Sequence, residues 1–298
     1  MHGNKTETIF FKKGVISTEL DKVLQKVDEI LAPQPALKFE VVKDSVGLFD
    51  SKIGGTPYFP KDMEYPKGRK KPFDGKPLVL LAQLNFEQLP HIPDFPTKGI
   101  LQFFIAADDL YGMSPDYGNG LTNQDNFRVI YHENIITDES KLITANDIPN
   151  YSPDDDFYLP FSGEYKLKAL EPDVMRAVIY DYRFSDVFVN CYNELYGEEA
   201  EDIWDIVEED DYNALAERND TTTDAFIGGY PVFTQDDPRY DESIADCDTV
   251  LFELDSVYKP GEGIDILWGD MGTGTFLIPR DNLRKLDFSR VVYNYDCS

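Results

Sequence analysis

The chain has 298 residues, 42% of them apolar and 13% aromatic, with 20 Phe and 18 Tyr. That is enough to bury a sizeable core, in one large domain or two fused small ones, and it argues against a disordered chain. The 56 acidic residues outnumber the 28 basic ones and leave a formal net charge of −28, which repels phosphate backbones and anionic membranes, so neither nucleic acid nor membrane is expected as a partner and a basic protein partner, or simple solubility, fits better.

The spacing of Leu20, Val23, Leu24, Val27, Ile30 and Leu31 predicts an N-terminal helix over 18–31, started by Thr18 and Asp21 and stopped before Pro33. Strands follow over Leu37–Val42, Leu78–Leu84, Ile100–Ile105 and Phe127–Tyr131, with turn-formers such as Pro90, Pro93, Pro96 and Gly99 between them. From Phe184 to Glu217 there are 12 acidic residues and no Lys or Arg. Phe188, Val189, Tyr192, Leu195 and Tyr196 fall at helical spacing there, as do Ile203, Trp204 and Val207, which predicts an acidic helical insertion over about 174–218. Strands resume at Val250–Leu254, Ile264–Trp268, Thr275–Ile278 and Val291–Tyr295, with a short helix over Arg280–Leu286. Strands without a regular strand–helix rhythm predict antiparallel sheets in a mainly-β fold with a few helices.

The sequence also repeats itself. Ile53-Gly54-Gly55-Thr56-Pro57-Tyr58-Phe59 answers to Ile227-Gly228-Gly229-Tyr230-Pro231-Val232-Phe233. Leu81-Ala82-Gln83-Leu84-Asn85 answers to Leu251-Phe252-Glu253-Leu254-Asp255, and ILQFF at Ile100–Phe104 to IDILW at Ile264–Trp268. The three blocks recur in the same order with only small changes of spacing. They predict an internal duplication, with halves at about 37–150 and 219–298 around a pseudo-twofold axis within one domain.

The strings KIGGTPYFPKD, LLAQLNFEQLP, KGILQFF, GGYPVFTQDDPR, LFELDS, WGDMGTGTFLI and YNYDC together resemble the bacterial YwqG-like family of unknown function, from about Lys38 onward. The resemblance implies a mainly-β, internally duplicated fold and no established activity. Glu253 departs from the family pattern, which leads one to expect glutamine there.

No catalytic, metal or cofactor residue is assigned. His2, His91 and His132 are too scattered for a zinc enzyme, and the runs Asp108-Asp109, Asp154-Asp155-Asp156 and Asp236-Asp237 lack the spacing of a calcium loop. Gly269–Gly274 (GDMGTG) lacks the Gly-Lys-Ser/Thr ending of a phosphate loop and reads as a strand connection. Trp268 beside Asp270 suits core packing with a turn cap, or stacking on a bound sugar or cation. The candidate ligand contacts are Gln83, Glu253, Asp255, Trp268 and Asp270. Cys191, Cys247 and Cys297 lack paired spacing and are expected as reduced thiols. With no apolar stretch in MHGNKTETIFFKKG and no membrane-length run, the chain reads as cytoplasmic.

Two functions compete. One is an interaction or immunity-type protein that meets a basic partner through Glu198, Glu199, Glu201, Glu208 and Glu209. The other is a carboxylate-based enzyme or small-ligand binder with a groove between the two halves. Strongly perturbed carboxylates in a pocket favour the second, and an open acidic face the first.

Overall fold

The computed structural model describes residues 18–148, 157–216, 218–219 and 223–297. Asp154-Asp155-Asp156, His2 and Glu217 lie outside them. The described residues form 13 strands and four α-helices. In chain order these are α1 (Thr18–Ile30), β1 (Gln34–Val42), β2 (Lys52–Gly54), β3 (Val79–Asn85), β4 (Ile100–Ile105), β5 (Phe127–His132), β6 (Glu164–Ala169), β7 (Asp173–Met175), α2 (Phe184–Tyr196), α3 (Glu209–Ala216), β8 (Ala225–Gly228), β9 (Thr249–Asp255), β10 (Val257–Lys259), β11 (Ile264–Ile266), β12 (Thr273–Ile278), α4 (Arg280–Arg284) and β13 (Val292–Asp296).

Eleven strands form one antiparallel sheet in the order β13-β12-β9-β8-β1-β6-β2-β3-β4-β5, with β7 added beside the start of β1. The sheet curls until its two ends meet. Phe103 of β4 stacks on Phe252 of β9 at 5.1 Å and meets Phe276 of β12 at 4.8 Å, and Phe127 of β5 lies 5.2 Å from Tyr293 of β13. These rings belong to a core that also takes Leu37, Phe39 and Val41 from β1. Alternation then sends Gln83, Asn85 and Gln102, and equally Glu253, Thr275 and Asn294, to the outer face, where loops bury them.

The sheet order corrects one expected equivalence. Ile264–Ile266 pairs with β10 in a separate two-stranded ribbon, so it does not correspond to β4. The strand that pairs with β9 as β4 pairs with β3 is β12. The paired glycines do share a conformation. Gly54 and Gly55 have φ of 65° and 72°, and Gly228 and Gly229 have 70° and 68°. A Cβ on Gly54 would lie 2.5 Å from the Gly163 carbonyl oxygen, and one on Gly228 would lie 2.3 Å from that of Pro35, so only glycine lets these strands approach.

The helices make a second layer. Leu20, Val23, Leu24, Val27 and Leu31 of the α1 stripe are buried against Phe184, Phe188 and Leu215. Ile30, read from the sequence as part of that stripe, is instead 62% exposed. A buried ion network links the segment before α2 to the turn at 237–240. The Arg239 guanidinium donates to Asp237 at 2.6 Å and to Asp181 at 3.0 Å, and Asp181 also accepts from Arg183 at 2.8 Å. Arg218 donates to Asp28 of α1 at 2.8 Å. Cys191 and Cys247 are buried free thiols, and Cys297 is a half-buried one. Among the described residues, no helix is long and apolar enough to cross a membrane.

Candidate functional site

On the outer face of β3 and β4, Gln83 is fully occupied. Its carbonyl oxygen accepts the Tyr58 N–H at 2.9 Å and the Gln102 amide at 2.8 Å, and its own amide donates to the Leu48 and Asp50 carbonyls at 2.9 Å each. Gln102 extends the chain of bonds to His132 Nε2 at 2.9 Å. Burial pushes the His132 pKa down to about 4, so the ring is neutral at pH 7. Beside Gln83 on β2, Lys52 is buried and donates to the carbonyls of Gly47 at 2.9 Å and Thr56 at 2.6 Å. Gln83 spends both amide hydrogens and two carbonyl bonds inside the fold and has none left for a ligand.

The outer face of β9, β12 and β13 has the opposite character. Register sets Glu253, Thr275 and Asn294 in one row and Asp255, Thr273 and Asp296 in the next. Glu253 is 2% exposed. It accepts the Val232 N–H at 3.1 Å and the Thr275 hydroxyl at 3.3 Å, and Thr273 donates to Asp255 at 3.3 Å. Asp296 accepts the Gln235 N–H at 2.8 Å through one oxygen, while its other oxygen is buried without a partner. Burial, reinforced by Asp255 and Asp296, holds the Glu253 carboxyl well above the usual range. Burial also raises Asp255, with Asp224 adding to the effect, and pushes Asp296 up to about 6. On β8 the residue facing Glu253 is Phe226, where the other side of the sheet has Lys52 facing Gln83.

A cavity of about 30 Å³ opens among Glu253, Asp255, Thr273, Phe226 and Met175, room for about one water molecule. Glu253 and Asp255 line it, and burial disfavours the charged form of both. Among the described residues, no group of three or more His, Cys, Asp and Glu side chains is arranged to hold a metal ion.

Trp268 and Asp270 do not make a joint site. Trp268 is fully buried, edge-on to Tyr111 at 5.6 Å, and its ring covers Gly274, where a Cβ would stand 2.3 Å from it. Asp270 is exposed on the following turn. The indole therefore offers no face to a ligand.

The helical layer carries the acidic surface. Glu198, Glu199, Glu201, Glu208 and Glu209 are all exposed. Among them stands Trp204, 57% exposed and stacked on Tyr212 at 4.2 Å and 17°. The sequence spacing had grouped Trp204 with Ile203 and Val207. Residues 203–205 form a single tight 3-10 turn capped by Asp202, and that turn buries Ile203 while directing Trp204 outward. A Trp flanked by Asp202 and Asp205 was the available signal for an outward position.

The sequence profile of the family described as Domain of unknown function (DUF1963) matches residues 51–297. The chain belongs to this family. No curated protein matches the chain. The family match takes in the buried carboxylates and the span that carries Trp204. It begins after α1 and β1, although β1 sits at the middle of the sheet.

Proposed function

We propose that this member of the family is an interaction protein whose acidic helical face, centred on the Trp204–Tyr212 pair, docks a basic protein partner. The observation that carries the reading is the exposed, pre-stacked Trp204 inside a segment with 12 acidic residues and no Lys or Arg. An aromatic anchor held in place before binding loses little freedom on docking, and its face attracts a Lys or Arg from the partner. The surrounding carboxylates steer a basic protein into contact. An immunity-type role, masking the basic surface of a toxic partner, is the form of this reading that the charge favours. The test is affinity capture from the native host at low and then high salt, with wild-type chain and Trp204→Ala as parallel baits. A basic protein retained by wild type, released by salt and absent from the variant supports the reading. Equal retention by both baits overturns it.

A second reading rests on the carboxylates. Glu253, Asp255 and Asp296 favour a small-cation binder or a proton-transferring site on the outer face of β9, β12 and β13. A separate cleft of about 110 Å³ lies where the 93–95 loop meets Gly228 and Gly229, but its Arg280 is engaged by Asp94 and Gln34, both at 2.9 Å. The carboxylate cavity therefore supports the ligand reading better than a groove between halves. Titration of the chain with ammonium, an ion close to water in size, followed by carboxyl NMR shifts of Glu253 and Asp255, tests it, and unchanged shifts count against it.

The strand orders β5-β4-β3-β2 and β13-β12-β9-β8 and the two glycine pairs support an internal duplication. The motifs from Lys52 to Cys297 support a YwqG-like bacterial origin, and the reduced-thiol reading supports a cytoplasmic location.

A further inference from the structure

A basic patch stands against the acidity of the rest of the chain. Five of the ten residues from Lys67 to Lys76 (KGRKKPFDGK) are Lys or Arg, in a protein of net charge −28. The segment is a closed, built loop. Gly68 N–H donates to the Lys76 carbonyl, Gly75 N–H to that of Gly68 and Leu78 N–H to that of Pro66, all at 2.9 Å. Phe73, buried in the same apolar cluster as Phe59 and Phe104, anchors the loop to the body. The Arg69 N–H donates to the Asp125 carbonyl at 2.9 Å, which brings Arg69 beside Arg128 of β5.

Between them lies a cleft of about 360 Å³, walled by Tyr65, Pro66 and Ile130 and edged by Lys67, Arg69 and Arg128. Glu64 and Asp74 also reach it. Glu64 is spent on Lys67, at 3.7 Å. Among the described residues, neither Arg69 nor Arg128 has a carboxylate within ion-pair distance. The Arg128 Nε–H is buried with no hydrogen-bond partner, and its Nη2 has only a 3.4 Å contact to the Lys67 carbonyl. Two neighbouring guanidiniums, neither held by a carboxylate, form a fork that a tetrahedral dianion would satisfy. The cleft is too large for phosphate alone, and its Tyr65–Ile130 wall suits an organic portion.

We propose that this cleft binds the phosphate group of a small phosphorylated metabolite through Arg69 and Arg128. This does not depend on the acidic face, which lies on other elements. The test is calorimetric titration of the full chain with inorganic phosphate, glycerol 3-phosphate and adenosine 5′-monophosphate. The expected result is saturable binding of at least one ester, tighter than inorganic phosphate and weakened by added salt. Arg128→Gln should weaken it about tenfold or more, and Arg128→Lys, which keeps the charge but not the fork, by less. Arg69→Gln, at an exposed position, should weaken it about as much as Arg128→Gln and serves if the latter fails to fold. No saturable binding of either ester, equal affinity for inorganic phosphate, or unchanged binding by Arg69→Gln would each overturn the proposal.

Discussion

Gln83 and Glu253 secure matching turns: each accepts the N–H of the residue after a Gly-Gly-x-Pro turn, Tyr58 at 2.9 Å and Val232 at 3.1 Å. The glutamine does so as a neutral group that also donates twice, whereas the glutamate brings a charge into a site where burial opposes it. A carboxyl whose pKa is raised on folding contributes stability below its unfolded pKa and loses it as pH rises through the folded pKa. Glu253→Gln should therefore change little at pH 5 and gain about 1–2 kcal/mol by pH 8, as read by urea titration. A loss of stability at pH 8 would show that the charge itself is needed there.

His132 and Asp296 titrate in one pH range with opposite effects. His132 is lowered from 6.5 to about 4, so its contribution is complete above pH 6.5 and is lost as pH falls through about 4. Asp296 is raised from 3.8 to about 6, so its contribution is present below pH 3.8 and is lost as pH rises through about 6. Each is worth at most about 3 kcal/mol. Between pH 4 and 6 they offset each other. Asp296→Asn should make acid destabilisation steeper than in wild type, and His132→Gln should make it shallower. Melting curves at half-unit pH steps measure both slopes, and parallel curves for all three proteins would rule out the assignment.

Asp181 accepts from Arg183 and Arg239 inside the protein, between the start of α2 and the turn at 238–240. Burial alone would raise its carboxyl pKa, but the two guanidiniums outweigh burial and hold it below the usual range. Asp181→Ala strips Arg239 of one of its two buried counter-charges and should cost about 3–5 kcal/mol. Asp241→Ala, at an exposed position, is the control. Chemical denaturation within about 1 kcal/mol of wild type for Asp181→Ala would remove the network from the account of stability.

Replacing Glu198, Glu199, Glu201, Glu208 and Glu209 together with Gln relieves like-charge repulsion of about 0.2–0.5 kcal/mol per close pair. The melting temperature should hold or rise. Capture of the basic partner should slow several-fold at low salt and approach the wild-type rate at high salt. Trp204→Ala should act differently, accelerating dissociation with little change in association rate. Stopped-flow and surface-binding kinetics separate the two, and a Trp204→Ala dissociation rate equal to wild type counts against the anchor.

Some strands showed in the sequence as apolar runs buried on both faces, such as ILQFFI in β4 and VLFEL in β9, while β1 showed by the burial of every second residue from Leu37 to Val41. β6 escaped because Tyr165 and Leu167 alternate with Glu164, Lys166 and Lys168, a weak pattern over six residues. The mistaken match of ILQFF with IDILW has a packing cause. Gly274 on β12 faces Leu254 where Leu101 on β4 faces Leu84, and the missing side chain makes way for the Trp268 ring. Trp268 supplies the bulk from another segment, so the likeness moved with it. Glu253 and Asp255 were visible as candidates, but their neighbour Asp296 reaches them only through strand register, which spacing along the chain does not reveal.

The central position of β1 has a consequence for synthesis. Its neighbours arrive late: Phe39 pairs with Ala169 on β6, and Leu37 with Ile227 on β8, in the last third of the chain. At ribosomal speeds of about 5–20 residues per second, the second partner is made roughly 10–40 s after β1. Through that interval β1, which carries Leu37, Phe39 and Val41 on one face, waits with at least one edge unpaired and open to pairing with another chain until β8 emerges.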